Sequence, residues 1–399
     1  AAVYNGDIEL DNLWINREKV DSLKFNYTIN GKKINLKTPK NSPLEISGAV
    51  DFSKYPQLKF EKILFCHDTQ SCYFDGDSST NNLNVSTTWK SLDGLFLSHL
   101  FNLPFELDGK LDVKLKAAGT ISNPNISCVL NSKSGNIENI YYDTLDIDVK
   151  VKNNMLSINT VQIQKSGDYT ANIRGSFPFW IDPAVKKDML NKKINIEYDL
   201  KDNKLKVLSS FTKDKIKIKK GNLQLTGSIT GTRKNIVHKA DLQMAASNVN
   251  TDSYIEKIKN LEISAVLKNN IISIQKFTAN AGSGKLNVDG DIHFVGTTPS
   301  FYNLSVYTSK KGIPIVIKDL PIPTSGVLKM EKNETFANYS KGTPKFSFKI
   351  YGPATDFNLT GWAELENTRF CYPPPKNFTA DSPADLGLLE NCHINIDLK

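Results

Sequence analysis

Arginine is scarce in this chain. Only Arg17, Arg174, Arg233 and Arg369 stand among 50 basic residues, and the lysine excess reads as a compositional habit before it reads as function. Long apolar runs are also missing. No stretch of 18 apolar residues occurs in the 399, which excludes a transmembrane helix in this sequence, and no signal-peptide pattern opens it. Cysteines are few and odd in number: Cys66, Cys72, Cys128, Cys371 and Cys392. Five thiols form no complete disulfide framework. Cys66 and Cys72 flank a short loop and are the candidate disulfide pair in an oxidising compartment. Cys371 meets Cys392 only if their strands are neighbours, and Cys128 reads as a small buried apolar residue.

The hydrophobic share is 39%, low for a large compact globule but sufficient if each strand dries one face. The net charge of +8 is spread along the chain, densest at Lys213, Lys215, Lys217, Lys219 and Lys220. Ile216 and Ile218 alternate with these lysines, which therefore share the wet side of a strand. No aromatic residue interleaves with them, so no nucleic-acid partner is expected.

What the sequence has is alternation. Leu111, Val113, Leu115 and Ala117 alternate with polar residues up to Gly119-Thr120. Leu145, Ile147 and Val149 follow, then Asn153-Asn154, then Leu156 and Ile158. Apolar residues at every second position, broken at short intervals by Asn, Gly or Pro, predict antiparallel strands with one dry face. The pattern returns. Lys268-Asn269-Asn270-Ile271-Ile272-Ser273-Ile274 nearly repeats Lys152-Asn153-Asn154-Met155-Leu156-Ser157-Ile158. Leu261, Ile263 and Leu267 answer Leu145 to Val151, and Phe346, Phe348 and Ile350 open a third copy.

The expected organisation is a partial β-repeat at 1–52, an irregular insert at 53–106, repeat units at 107–220 and 221–345, and a partial unit at 346–399. Within the insert, Trp89, Leu92, Leu95, Phe96, Leu97, Leu100 and Phe101 trace a helical stripe that Pro104 stops. Asn30-Gly31 predicts a type I′ hairpin turn, and Asp182-Pro183 an N-cap with proline at the first helical position. Asp252–Ile258 and Asp381–Leu389 read as short helices.

Catalytic patterns fail in turn. Gly282-Ser283-Gly284-Lys285 lacks the spacing of a phosphate loop. Asp291 and His293 share a strand face without a third metal ligand nearby. Asp146 and Asp148 alternate with an apolar face, as solvated carboxylates do. No Ser/His/Asp or Cys/His set stands out, so neither enzyme activity nor a cofactor is expected.

Several elements together resemble the TamB family of translocation and assembly proteins, within the AsmA-like group. They are the run Leu111–Thr120, Asn123-Pro124, Gly135-x-Ile137 and Ile173-x-Gly175. The last copy adds Gly361-x-x-x-Leu365-x-Asn367-x-x-Phe370-x-Tyr372-Pro373-Pro374. The resemblance implies an all-β fold: a long, curved, repetitive antiparallel sheet forming an open groove, with a few short helices. It implies a periplasmic protein of a double-membraned bacterium, held in the inner membrane by a segment outside this sequence. It implies phospholipid acyl chains as ligand and an outer-membrane barrel protein of the TamA type as partner. The expected groove lining is Leu111, Val113, Leu115, Leu145, Ile147, Val149, Leu261, Ile263, Leu267, Phe346, Phe348 and Ile350. The alternative is an extracellular β-solenoid adhesin or polysaccharide-binding protein, in which these residues fill a closed core.

Overall fold

A computed structural model describes residues 3–10, 13–15, 18–20, 23–39, 44–55, 57–67, 70–78, 82–100, 103–211, 216–251, 255, 257–295, 298–317, 324–330, 348–370 and 392–398. The fold is all-β: a long antiparallel sheet that is not closed, with a few short helices. The chain divides into two units, Ala1–Tyr198 with Ile229–Ile236, and Asp199–Ser228 with Val237–Lys399.

In unit 1 the elements are β1 (Val3–Leu10), β2 (Leu13–Ile15), β3 (Glu18–Val20), β4 (Leu23–Asn30), β5 (Lys33–Lys37), β6 (Leu44–Lys54), β7 (Gln57–His67), β8 (Gln70–Ser78) and β9 (Asn82–Asp93). Helix α1 (Gly94–Leu100) follows, then β10 (Leu107–Thr120), β11 (Pro124–Ile137), β12 (Ile140–Lys152), β13 (Met155–Lys165) and β14 (Tyr169–Pro178). A single turn at Pro183–Val185 leads to α2 (Lys186–Met189) and β15 (Ile194–Asp202), whose residues from Asp199 onward belong to unit 2. β1 pairs with β4, and from β4 to β14 each strand pairs antiparallel with the next. β2 and β3 form a separate small ribbon.

Unit 2 holds α3 (Lys206–Phe211), β16 (Ile216–Thr232), β17 (Asn235–Thr251), β18 (Lys257–Lys268), β19 (Ile271–Ala281), β20 (Gly284–Val295) and β21 (Thr298–Thr308). β22 (Ile313–Ile317), β23 (Thr324–Lys329), β24 (Phe348–Pro353), β25 (Phe357–Phe370) and β26 (Cys392–Leu398) complete it. β17 to β21 pair in succession. β24 joins β21 and β25, while β22 reaches β25 through β23. β26 departs from the antiparallel expectation: it runs parallel to β25, with Phe357 opposite Cys392.

The turns show why these residues make hairpins. Asn153 and Asn154 have φ of 53° and 57°, and Asn269 and Asn270 have 53° and 62°. Two consecutive left-handed residues match the twist of the flanking strands, and asparagine tolerates that region better than most side chains. The first hairpin differs from expectation. Asn30 pairs with Lys33, so Gly31-Lys32 is the turn and Gly31, at φ 60°, takes its first central position. That is where a type II′ turn needs glycine. Gly175 and Gly290 mark a second repeated device, with φ of 139° and 124° inside β14 and β20. A Cβ there would lie 2.1 Å from the Asn195 carbonyl oxygen and 2.0 Å from that of Asn303, so the neighbouring backbone comes close only because glycine is present.

Residues 57–93 correct the expected insert. They are three regular strands that continue the sheet, and the helix begins only at Gly94. Trp89 and Leu92 lie on β9, not on the helix. The cause is a pair of bulges. Lys62 and Ser91 take φ of 50° and 51°, and the ladders shift register beside them. Each bulged amide is held by an aspartate on the adjacent strand: Lys62 N–H donates to Asp75 (3.1 Å) and Ser91 N–H to Asp112 (3.0 Å). A bulge inserts one residue, so apolar spacing becomes three and imitates a helical stripe. The Asp182 cap is as expected: its carboxylate accepts from Ala184 N–H at 2.9 Å, with Pro183 beginning the turn. Most of Asp252–Ile258, and all of Asp381–Leu389, Phe346 and Cys371, lie outside the described residues.

Candidate functional site

The register draws the dry face of unit 1 as rows crossing β9 to β14. One row runs Leu92, Leu111, Ser132, Leu145, Ile163. The next runs Trp89, Val113, Leu130, Ile147, Val161, Ile173, and a third runs Thr87, Leu115, Cys128, Val149, Ile158. The six residues expected from this region to line a groove, Leu111, Val113, Leu115, Leu145, Ile147 and Val149, thus share one face. On the other face Asp108, Lys110, Asp112, Lys114 and Lys116 are exposed. Asparagines bridge its carboxylates across strands: Asn131 donates to Asp146 (2.6 Å), Asn159 to Asp148 (3.0 Å) and Asn136 to Asp108 (3.1 Å). Asp146 and Asp148 are therefore each held by a separate asparagine instead of facing one another as a catalytic pair.

Cover on the dry face is uneven. Leu92, Leu107, Leu111, Val113, Leu130, Tyr142 and Leu145 are buried together, and Leu97 of α1 packs on them. Asp93 at the end of β9 accepts from Leu95 N–H (3.0 Å), which starts the helix. Ser98 then fastens it: its hydroxyl donates to Gly94 O and accepts from Leu107 N–H, each at 3.0 Å. Along the face away from α1 the cover thins over the middle rows and returns at Val151, which is 3% exposed. Leu111 and Leu145 are 0% and 2% exposed, Leu115, Ile147, Val149 and Ile158 are half-buried, and Ile173 is 37% exposed.

Unit 2 repeats this plan. Leu261, Ile263 and Leu267 share a face, and register carries it through Ala265, Ile274, Gly290 and Leu304 to Ile350. Phe348, opposite Val306, lies on the same side as Ile350. Here Leu205, just ahead of α3 at φ 56°, supplies the cover, and Leu208 of the helix packs beside it. Asp202, fully buried at the end of β15, accepts from Lys204 N–H (3.1 Å), Lys206 N–H (3.0 Å) and Val207 N–H (2.8 Å). Leu205, also fully buried, sits against Ala246, Val249, Leu261 and Ala279. A Cβ on Gly221 would lie 2.3 Å from Leu205, so the sheet offers this leucine a socket of small residues. Ile218 packs at the rim of the same cluster, while Lys213, Lys215, Lys217 and Lys219 carry no described side chains.

Two groups on the dry face of unit 1 titrate away from their ordinary values. Burial, aided by the Asp148 charge, pushes the Cys128 thiol up. Burial also raises the Tyr142 hydroxyl, which lies 3.0 Å from Ser132 Oγ. Among the described residues no group of three His, Cys, Asp or Glu is placed to hold a metal ion. His293 instead stands edge-on to Phe301, with ring centroids 5.5 Å apart.

The candidate disulfide is not formed. Cys66 pairs with Ser71 and Cys72 with Phe65, so the two positions fall on opposite faces of the pleat. Cys72 remains a thiol, 3.5 Å from Thr87 Oγ1. Cys392 stands at the Phe357 end of β25, the opposite end of that strand from Phe370. Sequence reasoning assigns Trp89 and Leu92 to the helix instead of the dry face of the sheet, and it misses Leu205. The first two are hidden by the bulge at Ser91. The signal for Leu205 is Asp202, a strand-ending aspartate before a short apolar stretch.

Among the described residues no helix is long and apolar enough to cross a membrane. No protein-family model matches the chain, and no curated protein or solved structure matches it.

Proposed function

We propose that the dry face is a surface for acyl chains, and that the chain is a non-enzymatic conduit for phospholipid in the envelope of a double-membraned bacterium. The observation that carries this is the thin cover over the middle of the dry face of unit 1. Beyond α1, the rows through Leu115, Cys128, Val149 and Ile158 are only half-buried. An aliphatic surface of that extent is stabilised by an apolar partner, at about 25 cal/mol for each Å² removed from water. It presents few placed polar groups, which suits chains of variable length better than one defined ligand. The resemblance of the sequence motifs to the TamB family is in keeping with the same reading, and would add an outer-membrane barrel partner and a contribution to outer-membrane protein assembly. The adhesin alternative rests on a closed core, and the sheet is not closed.

The test places a charge on the half-buried part of each face. Val149→Asp and Leu267→Asp are expected to reduce co-purifying phospholipid, measured by mass spectrometry, with far-ultraviolet circular dichroism unchanged. Full lipid content in both folded variants would overturn the proposal. Photo-crosslinking from Leu115 separates cargo types: lipid adducts support the conduit, whereas polypeptide adducts alone would replace it with an assembly scaffold.

A further inference from the structure

The strands of unit 1 turn at two ends, and the ends differ. One end gathers the β10–β11 turn, the β12–β13 turn, residues 179–193 between β14 and β15, and the β16–β17 turn. Hydrogen bonds lace these connections into a rim. Asn154 Nδ2 donates to Ser122 O (2.8 Å), Phe179 N–H donates to Asn154 O (3.0 Å), and the Ser122 hydroxyl donates to Asp182. The Arg233 guanidinium lies over the Trp180 ring, 4.1 Å from its centroid, and donates to Pro178 O (3.4 Å).

Charge separates the two ends. The connections of the rim carry Lys186, Lys187, Lys192, Lys193, Arg233 and Lys234, all exposed, against Asp182 and Asp188. Asp182 is already engaged by the Ser122 hydroxyl and by Ala184 N–H. Across strands β10 to β14 the connections at the other end, 101–106, 138–139 and 166–168, carry Glu106, Glu138 and Asp168 and no lysine or arginine. Apolar groups stand among the cations of the rim. Ile181 is 44% exposed and Ile236 is 51% exposed, with Trp180 half-buried beside Arg233. An indole ring, exposed aliphatic groups and cations together form the composition that settles at a membrane–water interface. Single isoleucines set between cations suit a fluid anionic surface, which demands no shape match. Each lysine or arginine near such a surface strengthens binding about 5-fold.

We propose that this rim of unit 1 docks on an anionic phospholipid surface, with Trp180, Ile181 and Ile236 entering the headgroup layer and Arg233 and Lys234 meeting phosphates. Flotation of the chain with phosphatidylcholine vesicles, with and without phosphatidylglycerol, measures the contact. Binding is expected to the anionic vesicles at low ionic strength and to weaken with added salt. Arg233→Ser together with Lys234→Ser is expected to weaken it ~10-fold or more, and Lys186→Gln together with Lys187→Gln several-fold, with thermal unfolding unchanged. Glu138→Gln, at the other end, is expected to cause no loss. Depth is read with brominated acyl chains in the vesicles. They are expected to quench tryptophan fluorescence, and Trp180→Phe is expected to reduce that quenching while the chain still floats. Val149→Asp is expected to float normally, so failure of the acyl-chain conduit and failure of this docking are told apart. A chain that floats with neither kind of vesicle, or equally with both, would overturn the proposal. So would charge variants of the rim that float as the original chain does, or quenching that Trp180→Phe leaves unchanged.

Discussion

In unit 1 the sheet brings the volume and the helix adds little: Leu111, Leu130, Tyr142 and Leu145 are large, and Leu97 of α1 rests on them partly exposed. In unit 2 the volume comes instead from the residue that precedes the helix. Ala246 and Ala279 leave room beside Gly221, and one leucine, Leu205, fills it completely. Both helices are started by an aspartate at the end of a strand: Asp93 accepts from the amide of Leu95 and from Lys110 Nζ, and the fully buried Asp202 accepts from three amides. Interior packing is dense enough that total volume is conserved even when its source changes. Similar repeats therefore need not share their core residues, only their sum.

The sharpest way to break this comparison is to empty the socket. Leu205→Ala is expected to destabilise unit 2 by about 2–5 kcal/mol, whereas Leu97→Ala costs unit 1 about 1 kcal/mol, because part of that side chain is already in water. Denaturant unfolding followed by hydrogen exchange in each unit measures both. Equal losses would show that the two faces are covered alike. The caps come next. Asp202→Ala is expected to cost about 1–2 kcal/mol and Asp93→Ala about 0.5–1 kcal/mol, in the same measurement. The shared hairpin supplies a control in which the units do not differ. Asn153→Ala and Asn269→Ala each place alanine in the left-handed region and are expected to cost about 1 kcal/mol, equal within error, while glycine at either position costs almost nothing. The smallest effect concerns Cys128. Its raised pKa keeps the thiol protonated at neutral pH, so alkylation by iodoacetamide is expected to be slow and to accelerate only at distinctly alkaline pH. Asp148→Asn removes the nearby charge and is expected to move that acceleration to lower pH.

Alternation and turn chemistry are legible in the sequence alone. The strands around Leu111–Ala117 and Leu145–Val149, the two Asn-Asn turns and the Asp182 cap all depend on interactions a few residues long. Residues 57–93 are not legible in that way, because Lys62 and Ser91 each advance the alternation by one residue. What selects a bulge at those positions is an aspartate on the neighbouring strand, Asp75 or Asp112, and that partner is fixed only by register. The same limit hides the socket. Gly221, Ala246 and Ala279 look like weak points of their strands until Leu205 is set among them. Cys66 and Cys72 fail as a pair for a related reason, since a shift of one residue in register exchanges the two faces.

From β5 to β14 every strand finds its partner in the strand just before it, across a short connection except between β9 and β10, where α1 intervenes. Ring closures of that length cost little entropy, so each hairpin adds to the sheet quickly once its predecessor is in place. Assembly accordingly has a direction, set by the order of synthesis. At each moment the growing protein presents one unpaired strand to its surroundings, and misassembly during synthesis is a hazard at the newest strand rather than across the whole chain.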